Sequence, residues 1–167
     1  MKEKIMKRNY ISNNISLQLK CLIQIISISI LISSCTACSD NEEEKMITDN
    51  ATLFGNSYFN FEYAKAIECC TPESAVWIRY TVSNITQEDI NIINSNDKNS
   101  KCKIKDIAFE NDSTAIVTMN IENIFCADSI GKEGRFIQSA DINLTSKLRN
   151  GKWKIALTET LNLKNIE

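Results

Sequence analysis

The sequence predicts an α+β domain, and three observations carry that expectation. Between Ile47 and Ile93 the apolar residues recur at three- and four-residue intervals, the spacing of helices; after Lys101 the interval drops to two, the spacing of strands. Asn150-Gly151 then joins two alternating runs, and that dipeptide is the favoured two-residue type I′ hairpin turn. Helices gathered ahead of an antiparallel sheet, not interleaved with its strands, define the class.

The first 34 residues read as an export signal. Lys2, Lys4, Lys7, Arg8 and Lys20 precede an apolar run that begins at Cys21 and closes on Ser33-Ser34. The run is about a dozen residues long, short of the ~20 that a membrane-spanning helix needs. Ile32-Ser33-Ser34-Cys35 resembles the lipobox of bacterial lipoproteins. The resemblance implies cleavage before Cys35, thioether diacylation of that cysteine, and acylation (palmitate or a similar chain) of the new N-terminus. Two or more chains hold a protein stably at a membrane where one does not. Cys38, preceded by Ala37, is the rival lipid site, but it has Cys35 where Cys35 itself has the aliphatic Ile32. An uncleaved apolar anchor would leave the same domain on the same membrane. The expected location is the cell envelope of a Gram-negative bacterium, as an outer-membrane lipoprotein with its leaflet open.

Residues 35–46 follow as an acidic tether, because Ser39–Lys45 carries charge and no apolar face. An acidic run after a lipid cysteine is similar to the surface-export signals of some Gram-negative lipoproteins. The domain proper is expected over residues 47–167. Ile47, Ala51, Phe54 and Tyr58 mark a first helix; Asn60 looks like the cap of a second, carrying Tyr63, Ala64, Ile67 and Cys70. Thr71-Pro72-Glu73 opens a third, with a capping hydroxyl, proline at the first helical position and an acid at the dipole's positive end. That start decides between helix and strand for Val76–Val82, where both periods fit. Thr86-Gln87-Glu88-Asp89 opens a short fourth helix with Ile90 and Ile93, and Asn94–Ser100 is loop.

Among the strands, Lys101–Glu110 pairs with a run through Ala115, Val117, Met119 and Ile121 by way of Asn111-Asp112-Ser113. The facing of the first of these is ambiguous, since Ile104 and Ala108 share one side and Ile107 and Phe109 the other. Counting outward from Asn150-Gly151 pairs Arg149 with Lys152, Leu148 with Trp153, Ser146 with Ile155 and Leu144 with Leu157. Phe136, Gln138, Ala140 and Ile142 fall on the same apolar face, and Arg135, Asp141, Asn143, Lys147 and Lys154 on the other. A Cys102–Cys126 disulfide is not expected. The hairpin counts set Cys102 opposite residue 121 or 122, at least about 13 Å from Cys126, against the ~7 Å between Cα atoms that a disulfide allows.

Composition excludes several functions. There is no histidine, which removes the commonest general base and transition-metal ligand, and four glycines with one proline leave no Gly-rich phosphate loop. Residues 35–167 carry 14 bases against 20 acids, a net −6 that argues against nucleic acid as a partner. No cysteine spacing suits a metal, so no metal site and no cofactor is expected.

The chain resembles small bacterial lipoproteins of unassigned function with a nuclear-transport-factor-2-like cone. The resemblance is carried by Asn56-Ser57-Tyr58-Phe59-Asn60 with Tyr63-Ala64-Lys65-Ala66, by Thr71-Pro72-Glu73-Ser74, by Asp112–Val117, and by Asn150-Gly151-Lys152-Trp153-Lys154-Ile155. It implies helices packed on a curved antiparallel sheet of about four strands. It implies no reaction, because that scaffold hosts isomerases, dehydratases and binding modules alike.

Two functions of different class follow. As a membrane-tethered binding or accessory module, the domain would take a small apolar ligand, a peptide or an envelope protein, with Tyr58, Tyr63, Trp77, Tyr80, Phe136 and Gln138 lining a pocket. Trp153, on the hairpin's apolar face, fits the core better than a pocket. As a cone-fold enzyme of the isomerase or dehydratase type, it would use Asp106 with a tyrosine as acid and base. The binding module is favoured, because no spacing shows a carboxyl converging on a hydroxyl. Lys147 and Lys154, side by side on the outer face, are a further partner signal. Asp112-Ser113-Thr114 and Asp128-Ser129-Ile130 match the pattern of an O-glycosylation system of some Gram-negative envelopes, making Ser113 and Ser129 candidate acceptors; a turn built from Asp and Ser explains them as well.

Overall fold

A computed structural model describes residues 36–127 and 134–161. The stretch expected as a signal peptide, Cys35 and Ser129 lie outside the described residues, as do the side chains up to Asn41, Cys38 among them. The chain divides into two units, Met1–Glu42 and Glu43–Glu167. Of the first, only the opening of a helix is described; the second is the domain.

That helix, α1 (Thr36–Phe59), takes in the acidic stretch expected as a tether. Glu42, Glu44 and Lys45 are exposed on it. The lack of an apolar face makes such a segment solvated without making it irregular, and Glu, Lys and Met are good helix formers. Further along, Ile47, Ala51, Phe54 and Tyr58 are buried at the expected spacing. Gly55 lets the helix lie close on the sheet: a Cβ there would stand 2.6 Å from the Met119 sulfur.

Helix α2 (Tyr63–Glu68) buries Ala66, leaves Ala64 exposed, and is not capped by Asn60. Asn60 instead ties the loop ahead of the sheet to the end of α1. Its Nδ2 donates to the Asn56 and Ser100 carbonyls, and its Oδ1 accepts from Ser100 N–H at 2.8 Å. Thr71-Pro72-Glu73 does open a helix, through a 3-10 turn (Pro72–Ser74) into α3 (Ala75–Ser83). The Thr71 hydroxyl is 2.8 Å from that of Ser74 and makes no cap to the backbone. Helix α4 (Gln87–Asn94) starts at a complete capping box: Asp89 N–H donates to Thr86 Oγ1 at 3.1 Å, and Thr86 N–H to Asp89 Oδ2 at 3.0 Å. Among the described residues, no helix is long and apolar enough to cross a membrane.

Strands β1 (Lys101–Asn111), β2 (Thr114–Cys126), β3 (Arg135–Arg149) and β4 (Lys152–Ala156) form one antiparallel sheet in sequence order. The helices pack on one face of it, the α+β arrangement expected. The hairpin count holds for Arg149↔Lys152, Leu148↔Trp153 and Ser146↔Ile155, with Asn150 at φ 51° and Gly151 at φ 73° as a type I′ turn requires. Trp153 and Ile155 are buried as placed. The ambiguity of β1 has a physical origin, two bulges. Register shifts between Ile104 and Asp106 and between Phe109 and Asn111 make Lys105 and Glu110 extra residues. Cys102, Ile104 and Ile107 can therefore all pack against the core although their spacing is uneven. Cys102 faces Ile121 and Cys126 faces Arg135, and both thiols are free.

The two edges of the sheet are managed differently. On β1 the bulged residues are both charged, which blunts pairing with another strand. On β4 the segment after α2 takes the edge: Cys70 bridges Ile155 in parallel, Thr71 N–H donates to the Ile155 carbonyl, and Ile155 N–H to that of Cys69.

Candidate functional site

Six aromatic rings form a continuous run from the core to one end of the sheet. Phe54 stacks on Tyr58 at 5.4 Å, Tyr58 meets Tyr63 edge-on at 5.6 Å, and Tyr63 meets Phe61 at 6.2 Å. Phe61 then meets Phe125 at 6.1 Å, and Phe125 meets Phe136 at 5.4 Å. All are edge-on contacts beyond the first, the geometry that the ring quadrupole favours. Phe54 and Tyr58 are buried; Phe61, Tyr63, Phe125 and Phe136 are half-buried.

Two backbone positions make the run possible. The first is the stop of α1. Phe61 N–H donates to the Tyr58 carbonyl and Glu62 N–H to that of Ser57, which together form a Schellman motif with Phe61 at the left-handed position, φ 66°. Glycine is usual there, and a residue with a Cβ costs about 1–2 kcal/mol. The ring offsets that cost by lodging between Tyr63 and Phe125.

The second is Asn123 on β2, at φ 56°. Before it Ala115, Val117, Met119 and Ile121 are buried; after it Ile124 is. On β3 the inward side changes too, from Ala140 and Leu144 to Ile137. The β2–β3 ladder skips Asn123 and Gln138 but keeps its register, with Glu122↔Ser139 before and Ile124↔Ile137 after, so this is a twist and not an insertion. Asparagine tolerates the left-handed conformation, and here it is held by the loop before the sheet. Its Nδ2 donates to the Lys98 carbonyl at 2.6 Å, and its own carbonyl accepts from Ser100 Oγ at 2.7 Å.

Asp89 closes the same end. Besides its capping bond, its Oδ1 accepts from Gly134 N–H at 3.1 Å, linking α4 to the start of β3. Gly134 has no room for a Cβ, which would collide with the Phe125 ring.

Of the residues that the sequence nominates, Tyr58, Tyr63 and Phe136 join this run. Trp77 is half-buried on α3 and packs against the core. Tyr80 and Gln138 lie at the surface: Tyr80 is 58% exposed, and Gln138 is exposed. Tyr80 follows Val76 by one helical turn on the solvent side of α3, whose buried residues are Ala75 and Ile78. Gln138 falls where the inward side of β3 switches, so the alternation that placed it inside no longer holds. Phe61 and Phe125 are missing from the sequence reading. Their signal is weak, since nothing local to Phe61 or Asn123 announces a left-handed residue.

The chemistry of this end is apolar. Burial pushes the Tyr58 phenol up despite the hydrogen bond that it donates to Thr81 Oγ1, and burial also pushes up that of Tyr63, so both stay neutral at physiological pH. The thiols are raised as well, Cys70 and Cys102 each to about 12 by burial, which makes them poor nucleophiles. Asp106 lies exposed on β1. Among the described residues, no group of His, Cys, Asp or Glu could hold a metal ion. On the outer face, the ammonium of Lys154 is taken by the Glu68 carbonyl and Lys105 pairs with Asp141, which Asn120 also contacts.

No protein-family model matches the chain. No curated protein matches it. Among solved structures it is similar to an NTF-2-like protein of unknown function from Shewanella oneidensis MR-1, at 11% identity and a TM-score of 0.41, over 67% of this chain and 93% of that one. The fold class rests on the helix order and sheet register described above.

Proposed function

We propose that the chain is a lipid-anchored protein of a Gram-negative envelope whose domain binds an apolar ligand, a peptide or a protein partner and does not catalyse a reaction. The observation that carries the binding reading is the half-buried aromatic group Phe61, Tyr63, Phe125 and Phe136 at one end of the sheet, held there at the expense of a left-handed phenylalanine. Unfavourable backbone geometry of this kind concentrates where a protein positions groups for use. The enzyme alternative has less support, because Asp106 and Tyr80 are both exposed and the phenols of Tyr58 and Tyr63 have no carboxylate partner among the described residues. The anchor reading is supported by Ile32–Cys35 alone. Ser113, exposed at the β1–β2 turn, is an accessible acceptor for a glycan.

Titration with 1-aminoanthracene, a neutral apolar fluorophore, tests the domain: saturable enhancement is expected, weakened about tenfold or more in Phe125→Ala. A pH-dependent turnover abolished by Asp106→Asn would establish the enzyme instead. Labelling with a fatty acid tests the anchor, with label lost in Cys35→Ala. Retention there, with loss in Cys38→Ala, would move the lipid to Cys38.

A further inference from the structure

Ser146 and Trp153 occupy the inner face of the β3–β4 hairpin at the opposite end of the sheet from the aromatic run. Ser146 is fully buried and Trp153 is 3% exposed. Ser146 Oγ and the indole Nε1 are buried polar atoms without a hydrogen-bond partner among the described residues. Other buried hydroxyls nearby are satisfied. Ser74 Oγ, also fully buried, accepts from Leu157 N–H at 2.8 Å and lies 2.8 Å from the Thr71 hydroxyl. An unpaired buried donor costs about 1–3 kcal/mol, so two at one place call for an occupant.

The register puts them together. Ser146 pairs with Ile155 and Trp153 with Leu148, which makes Ser146 and Trp153 diagonal neighbours, about 7–8 Å apart at Cα and within reach of an aromatic side chain. Across the sheet, Ser146 also faces Ala115, which faces Phe109 on β1. In a flat sheet β1 and β4 would stand about 14 Å apart. The Phe109 and Trp153 rings nevertheless meet edge-on at 5.9 Å. The sheet is concave here, and the two rings arch over the small residues Ala115 and Ser146. Phe109 forms the outer wall, 44% exposed and beside the bulge at Glu110.

We propose that this corner binds one neutral carbonyl oxygen carried by a small apolar molecule, such as a ketone, an ester or a tertiary amide. The indole N–H can only donate, and the serine hydroxyl can donate to the same atom. A carbonyl oxygen has two lone pairs and no hydrogens, so two donors satisfy it. A water molecule accepting from the indole and donating to the serine hydroxyl would still leave a hydrogen facing Ala115, Ile155, Leu148 and Phe109, whose side chains accept nothing, and would make two bonds where buried waters ordinarily make about three. A carboxylate does not suit the site: Lys147, Arg149, Lys152 and Lys154 all alternate onto the outer face, and an uncompensated buried charge is strongly unfavourable. The site is separate from the aromatic run and does not rest on the function proposed for it.

The test is a titration of the ¹⁵N-labelled full chain with cyclopentanone, following the Trp153 indole N–H resonance, which Trp77→Phe assigns by elimination. Cyclopentanone should move that resonance saturably, and cyclopentane at equal concentration should not. Ser146→Ala should weaken binding about five- to tenfold. Trp153→Phe, which keeps a ring and removes the donor, should weaken it similarly, read at the Ala115 and Ile155 methyls. The proposal is overturned by a non-saturable shift, by an equal response to cyclopentane, or by unchanged affinity in Ser146→Ala. A long-lived water contacting the indole N–H that cyclopentanone does not displace would overturn it too.

Discussion

The two ends of the sheet contrast in how their geometry is specified. At the hairpin end the instructions are local: Asn150-Gly151 sets the turn, the turn sets the register, and the register sends Leu148, Trp153 and Ile155 inward. At the aromatic end the decisive residue is Asn123, and what holds it left-handed is a loop some two dozen positions away, through Lys98 and Ser100. A pattern confined to neighbouring residues transmits the first arrangement faithfully. It cannot transmit the second, because the cause is tertiary.

The largest test of this contrast is Trp153→Ala. Truncating a buried tryptophan typically costs about 3–5 kcal/mol, and the hairpin end should account for a large share of the domain's stability. Thermal and urea unfolding measure it; a melting point within a degree or two of the parent would mean that the inward face is assigned wrongly.

Asn123→Val comes next. A β-branched residue in the left-handed region costs about 1–2 kcal/mol, and the hydrogen bonds to the loop go with it, so a loss of about 2–3 kcal/mol is expected. Amide exchange should rise at Ser100 and Phe125 first and leave the Asn150 turn protected. Uniform exposure of both ends would show that they are not separable.

The smallest effect sets one thiol at each end against the other. Cys70, bridged to β4, and Cys102, opposite Ile121, are both raised by burial to about 12, above the ~8.5 of an exposed thiol. The folded state therefore holds protons that the unfolded chain releases from about pH 8.5 upward, and stability should fall as pH rises from there towards 12. Cys70→Ala and Cys102→Ala should each flatten that decline, in a series of urea titrations between pH 7 and 11. A decline equally steep in both variants would assign it to other groups.

What the sequence made legible follows the same division. The helix starts at Pro72 and Thr86, the type I′ turn and the inward placement of Trp153 rest on interactions within a few residues. Tyr80 faces solvent, and an aromatic on a short helix has no local mark of the side that it presents. Gln138 is exposed where alternation from the hairpin turn places it inside, because strict alternation cannot register a twist. The uneven spacing of Ile104, Ile107 and Phe109 is itself the trace of the Lys105 and Glu110 bulges, and it shows in the sequence as a conflict between the two faces. Of the candidate site, Tyr58, Tyr63 and Phe136 were legible as apolar positions; Phe61 and Phe125 became partners only through left-handed residues that no local pattern encodes.

The parallel bridge between Cys70 and Ile155 bears on the order in which the domain can form. It joins the segment following the second helix to β4, so its closure spans most of the domain and carries a high contact order. The entropy of that closure has to be met before the contact returns anything. A chain emerging from its N-terminus can form its helices and the β1–β2 hairpin early, yet the final edge stays open until the residues around 155 are free to turn back. Strand β4 thus acts as a clasp, and this edge of the native sheet closes only once the chain has been made through it.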